Sequence, residues 1–124
     1  MTSGHTITTE PADARIQVVI GGETFADSTR AVLLYETGLP TRYYLPREDV
    51  RMDRLVATDL QTTCPFKGDA QYWSARVGDR ELTGVAWSYP EPIEGREDIS
   101  GLVCFFNDRV DALTVDGVHV EPAH

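Results

Sequence analysis

This chain is short of several things at once. It has one lysine, two cysteines and three histidines in 124 residues. No apolar run approaches the roughly 20 residues that a membrane-spanning helix needs. No stretch keeps the 3.6-residue apolar period of a helix over three turns. Each shortage excludes something. The cysteines make no Cys-x-x-Cys, and the histidines stand apart at positions 5, 119 and 124. No zinc-type ligand set follows from that spacing, so neither a metal nor a cofactor is expected. There is no Gly-x-Ser-x-Gly elbow and no histidine in a motif, which argues against a Ser-His or Cys-His hydrolase. The opening "MTSGHTITTEPADAR" has no basic head and no apolar stretch. A secretory signal is therefore not expected, and a cytoplasmic location is. In a reducing compartment Cys64 and Cys104 are expected as thiols, with Cys104 buried. Basic residues number 11 against 20 acidic ones, for a net charge of -9. That balance weighs against nucleic acid as a partner, because such binding rests on neutralising phosphates. A membrane partner is not expected either.

What is present is alternation. "RIQVVI" puts Ile16, Val18 and Ile20 on one face, as in a half-buried strand. "GG" at 21–22 predicts a hairpin into "ETFADS", and "TGLP" one between "AVLLYE" and "TRYYL". "GD" at 78–79 predicts a hairpin between "DAQYWSARV" and "RELTGVAWSY". "ND" at 107–108 predicts another between "GLVCFF" and "RVDALTV", and "DG" at 116–117 a last one. "PREDV" suits a single helical turn, "DRLVATD" reads as strand or turn, and "PEPIEGREDIS" reads as a flexible polar connection. The fold class is mainly β: antiparallel hairpins folded into two packed sheets, tent- or barrel-like, with at most short helical turns. One β domain is expected over 15–120, after a polar lead-in over 1–14 and before a short tail over 121–124.

Three segments carry candidate chemistry. In "TTCPFKGDAQYW" the lone Lys67 follows Cys64 by three residues. An ammonium folded over the sulfur favours the thiolate, and a partly exposed thiolate is reactive. The bland alternative is a structural turn, with Cys64 as a small apolar group and Lys67 in solvent. In "LYETGLPTRYYLP", Arg42 and Tyr44 share a strand face, and Glu36 can meet Arg42 across the hairpin. A surface ion pair of that kind contributes under about 1 kcal/mol. In "WSYP", Trp87 and Tyr89 share a face, as core or as the wall of a pocket. The glycines at 21–22 lack the lysine and helix start of a phosphate loop, so hairpin geometry explains them better.

The segments "FADSTRAVLLYETGLPTRYYLPREDV", "TTCPFKGDAQYW", "GVAWSYPEP" and "ISGLVCFFNDRVD" come in an order and spacing that resemble the family called domain of unknown function 427. The resemblance covers roughly residues 15 to 117. It implies a single mostly β domain, similar to a tent of two antiparallel sheets, and no established activity. The motif positions that it carries onto this chain are Asp27, Ser28, Glu36, Tyr44, Pro46, Cys64, Pro65, Lys67, Gly68, Trp87 and Tyr89. The family also has a nucleotidyltransferase-like label. This chain has no Asp-x-Asp or Asp-x-Glu pair at suitable spacing after its glycines, and that chemistry needs metal-binding carboxylates.

The leading expectation is a ligand pocket built from the "YYLP", "CPFKG" and "AWSY" segments. It would use Glu36, Arg42, Tyr44, Cys64, Lys67, Trp87 and Tyr89 to hold a small anionic metabolite. Two other readings stand beside it. One is a protein-interaction module. The other is an enzyme with Cys64, Lys67 and Glu36 as candidate catalytic groups.

Overall fold

The structure is a computed structural model, and it describes residues 6–120. The 121–124 tail and residues 1–5, with His5 and His124, lie outside the described residues. Two antiparallel sheets make up the fold. The larger runs in the order β1 (Ile7–Pro11), β4 (Val32–Glu36), β5 (Arg42–Leu45), β9 (Val103–Phe105), β8 (Arg80–Ser88), β7 (Gly68–Val77) and β6 (Leu55–Cys64). The smaller runs β11 (Val118–His119), β10 (Ala112–Val115), β2 (Ile16–Ile20) and β3 (Glu23–Ser28). The only helical elements among the described residues are 3-10 turns at Arg47–Asp49, Met52–Arg54 and Glu97–Ile99.

Local turn chemistry accounts for most of the hairpins. Gly21 and Gly22 both have positive φ, 59° and 79°. A two-residue turn needs that geometry to match the right-handed twist of its strands, and Ile20 pairs with Glu23 across it. The turn at 78–79 joins β7 to β8, that at 116–117 joins β10 to β11, and β4 pairs with β5.

The hairpin expected around 107–108 does not form. β9 is paired on both sides, with β5 through Tyr44 and with β8 through Trp87. It has no free edge left for β10, which pairs with β2 in the other sheet. The polar lead-in also departs from expectation, since β1 pairs along β4 from Ile7 to Pro11. Ambiguous "DRLVATD" opens the long strand β6.

At its centre, over β5, β9 and β8, the larger sheet buries both faces, with alternate residues turned to each. Tyr43, Leu45, Val103 and Phe105 turn toward the smaller sheet and pack with Ile16, Val18, Phe25 and Leu113. Phe105 is essentially fully buried, which alone stabilises the fold by about 2–3 kcal/mol. The intervening residues Leu34, Tyr44, Cys104 and Trp87 form a second cluster on the opposite face. This second face carries the candidate site.

Candidate functional site

Register builds the site. Cys104 pairs with Tyr44 on one side and Trp87 on the other, and Tyr72 pairs with Trp87 in turn. Paired residues point the same way, so these four side chains form a row across β5, β9, β8 and β7. Period two adds Arg42, Tyr89 and Phe106 to the same face. The Trp87 indole N–H donates to the Tyr44 hydroxyl at 3.2 Å, and the two rings meet edge to face at 89°. Phe106 lies 4.4 Å from Trp87 between centroids, and its ring is within 12° of parallel to Tyr72.

The "CPFKG" loop closes one side. Residues 65–67 connect β6 to β7, and Cys64 pairs with Gly68. The Lys67 N–H donates to the Cys64 carbonyl at 3.2 Å, so the segment is a turn. Gly68 has φ +122°, which L side chains rarely adopt. A Cβ there would meet Pro92 Cα at 3.1 Å and Ile93 N at 3.2 Å. The 90–100 segment therefore lies against the turn, and the Ile93 N–H donates to the Lys67 carbonyl at 2.9 Å. Ile99, at the end of that segment, is fully buried in the second cluster. A segment expected as a flexible connection thus packs onto the turn that carries Lys67.

Lys67 does not point into solvent. Its ammonium donates to Glu36 Oε1 at 2.5 Å, and the two side chains are only 10% and 6% exposed. Taking each charge out of water costs several kcal/mol, so each ion depends on the other. The lone lysine is committed to a carboxylate at the end of β4. Cys64 is half-buried and packs against the same cluster.

Arg42 behaves differently. The register puts it opposite Leu34 rather than Glu36. Its guanidinium carbon sits 5.1 Å from the Trp87 ring centroid, a cation–π contact. Among the described residues, no carboxylate forms an ion pair with it.

These groups surround a cleft of about 160 Å³. Six of the seven residues singled out from sequence line it: Glu36, Arg42, Tyr44, Lys67, Trp87 and Tyr89. Cys64 does not. Leu39, Tyr72 and Phe106 complete the lining and were not foreseen. Phe106 was within reach of the pattern, two residues beyond Cys104. Tyr72 needed the β7–β8 register, which a bulge between Trp73 and Ala75 shifts. A roomier cleft of about 380 Å³ lies between Gln61, Asp69, Gln71, Pro90 and Glu91. Its two carboxylates make it a poor host for an anion.

Tyr44, Tyr89 and Cys104 on the aromatic face stay protonated at neutral pH. Burial pushes the Tyr44 hydroxyl up, with Cys104 and Tyr89 adding to it. Burial does the same to Tyr89, followed by the influence of Cys64 and Tyr72. The Cys104 thiol is pushed up to about 12 by burial, with Arg42 opposing. These groups present hydroxyls and a thiol rather than negative charge, and Arg42 is the cation among the described lining residues that stands outside the Lys67–Glu36 pair. Among the described residues, no three His, Cys, Asp or Glu side chains come together as a metal-type group. No helix among them is long and apolar enough to cross a membrane.

Two antiparallel sheets of hairpin strands, with an aromatic cleft beside a buried Lys–Glu pair, define the class of this domain. The chain belongs to the family described as Domain of unknown function (DUF427), whose model matches residues 8–116. No curated protein matches it.

Proposed function

We propose that the domain binds a small organic anion, a carboxylate or phosphate, in the cleft over Trp87, with Arg42 as its anchor. The observation that carries this reading is the Arg42 guanidinium, which lies over the Trp87 ring at the cleft and has no carboxylate ion-pair partner among the described residues. A stacked guanidinium keeps its N–H edges for a forked contact with an acid. The Lys67–Glu36 pair serves as the wall beside it. That pair sums to zero charge, so among the described lining residues the remaining formal charge is that of Arg42. The cleft is smaller than the roughly 300–1,000 Å³ of sites for drug-sized ligands, which favours a small occupant.

The enzyme reading with Cys64, Lys67 and Glu36 has less support. Lys67 and Glu36 hold each other, and Cys64 does not line the cleft. For an interaction module, the relevant observation would be a large exposed apolar patch. Among the described residues, the exposed apolar side chains are spread over both sheets: Leu60 and Val118 lie on the edge strands β6 and β11, Tyr35 on β4, and Phe66 and Ile93 on the two segments that meet at the CPFKG turn.

A thermal-shift screen with small carboxylates and phosphate esters tests the proposal, since a ligand that binds only the folded state raises its melting temperature. At least one anion class should stabilise the wild type and fail to stabilise Arg42→Met. Stabilisation that survives in Arg42→Met, or none across the screen, ends this reading.

A further inference from the structure

We propose that the bound anion is a flat, conjugated carboxylate of the benzoate type. This rests on the reading of the cleft as an anion site with Arg42 as anchor. Charge comes first. A phosphate monoester carries about -1.5 to -2 at neutral pH. Among the described residues that line it, the cleft offers one cation beyond the Lys67–Glu36 pair, and Glu36 lines the same wall. One net positive charge matches the single negative charge of a carboxylate. A dianion would remain undercompensated and would face the Glu36 carboxylate.

Shape comes second. Five of the nine lining residues are aromatic: Tyr44, Tyr72, Trp87, Tyr89 and Phe106. Tyr72 and Phe106 are nearly parallel, and Trp87 leans on Phe106 at 51°. Arg109 lies 4.2 Å from the Phe106 centroid and donates to the Gly84 carbonyl at 2.8 Å, which braces that ring from outside the lining. A wall of this kind favours flat partners, because aromatic rings prefer offset-stacked or edge-to-face contact. A conjugated ring is coplanar with its carboxylate, so one rigid molecule can meet the Arg42 fork and the rings together. Little conformational freedom is lost when such a ligand binds. A saturated acid of the same size gains the fork but not the ring contacts.

Polar tips give a third reason. The Tyr44 hydroxyl accepts from the Trp87 indole, so its own proton is available to an acceptor. Burial keeps that hydroxyl neutral. A carboxylate has acceptor capacity beyond the Arg42 fork, and Tyr44 is among the residues that line the cleft.

The experiment uses the full chain and four probes: benzoate, cyclohexanecarboxylate, acetate and benzamide. Binding is read by fluorescence in a Trp73→Phe background, where the only indole is Trp87. Melting temperature is the second readout. Benzoate should bind about tenfold tighter than acetate or cyclohexanecarboxylate, in line with the usual strength of aromatic pairs, and benzamide, which keeps the ring but lacks the charge that Arg42 would hold, should bind more weakly than benzoate. Arg42→Met should abolish benzoate binding, and Arg42→Lys should weaken it by removing the fork. Phe106→Leu should reduce benzoate affinity toward that of cyclohexanecarboxylate. If acetate and cyclohexanecarboxylate bind as well as benzoate, all dependent on Arg42, the anion site stands and the aromatic class is wrong. Benzamide binding as well as benzoate, or no Arg42-dependent binding by any acid, overturns both.

Discussion

Lys67 and Glu36 are 31 residues apart, and their charged ends meet in a nearly dry contact between the β6–β7 turn and the end of β4. The geometry explains why one lysine persists in a chain whose ten other basic residues are arginines. An ammonium is a compact point charge on a flexible stem, whereas a guanidinium is a wide fork. A lysine can fold back from a tight turn into a space this narrow.

Removing one partner should cost more than an exposed ion pair could explain. Lys67→Met leaves the Glu36 carboxylate buried without its ammonium, and Glu36→Gln leaves the ammonium without a counter-charge. Each should destabilise by about 3 kcal/mol, against under about 1 for a surface pair. The double variant should be more stable than the sum of the two losses implies. Urea unfolding of the three variants measures this. A neutral Lys67→Met would show that the pair is effectively solvated.

Gly68→Ala should disturb the same corner from the backbone side. It introduces a Cβ at φ +122°, facing the backbone of Pro92 and Ile93 at 3.1–3.2 Å. A loss of more than about 1 kcal/mol is expected, because neither the conformation nor the neighbouring backbone can yield cheaply. Hydrogen exchange should speed up at the Ile93 amide, whose bond to the Lys67 carbonyl depends on that close approach. Unchanged exchange there would contradict the clamp.

Tyr44→Phe isolates one hydrogen bond in the aromatic row. It removes the acceptor of the Trp87 indole N–H and keeps the ring. A buried donor left unpaired costs about 1–3 kcal/mol. The indole resonance of Trp87 should shift strongly while that of Trp73 stays in place, and thermal unfolding supplies the energy. A stability equal to wild type would mean that another acceptor replaces the hydroxyl.

Alkaline pH should weaken the fold through the same face. The Cys104 thiol titrates near 9 when unfolded and is pushed up to about 12 when folded. Between those values the unfolded chain has lost a proton that the folded chain keeps, so stability falls as pH rises. Its contribution is complete below about pH 9 and is lost as pH climbs toward 12. Tyr44 and Tyr89 are raised in the same sense and add to the fall above about pH 10. Cys104→Ala should flatten the part of the slope that begins near pH 9, as read from urea midpoints at pH 8 to 11. Native protein at neutral pH should alkylate at Cys64 and not at Cys104, with Cys104 reacting only on unfolding.

Much of this was legible in the sequence where the signal is local. The Gly21–Gly22 and Gly78–Asp79 turns fix their own hairpins, because turn geometry and strand twist are settled within a few residues. Alternation placed Arg42 with Tyr44, and Trp87 with Tyr89. Partner choice between distant strands was not legible. Asn107–Asp108 is a genuine turn, but the strand after it leaves for β2, because β9 is already paired on both edges. That insertion of β9 joins Tyr44 to Trp87 through Cys104, and no spacing in the chain announces it. β1 was missed because "ITTEP" has one apolar residue and forms an edge strand, where backbone bonds rather than burial hold it. From sequence, Lys67 reads as tuning Cys64, as a cationic anchor for a ligand, as a candidate catalytic base beside Glu36, or as a solvated residue. Its true partner, Glu36, comes close only once both sides of the larger sheet are assembled.

The central claim is that a small carboxylate sits against Arg42 over Trp87. The most direct measurement follows the two indole N–H resonances in proton–nitrogen NMR during an acetate titration, with Trp73→Phe assigning them. The Trp87 indole lies beneath the Arg42 guanidinium, whereas that of Trp73 donates to Ser88 at 3.3 Å on the other side of the sheet. The account predicts a saturable shift of Trp87 alone, which Arg42→Met abolishes. No shift at Trp87, or an equal drift of both resonances that persists in Arg42→Met, would contradict it.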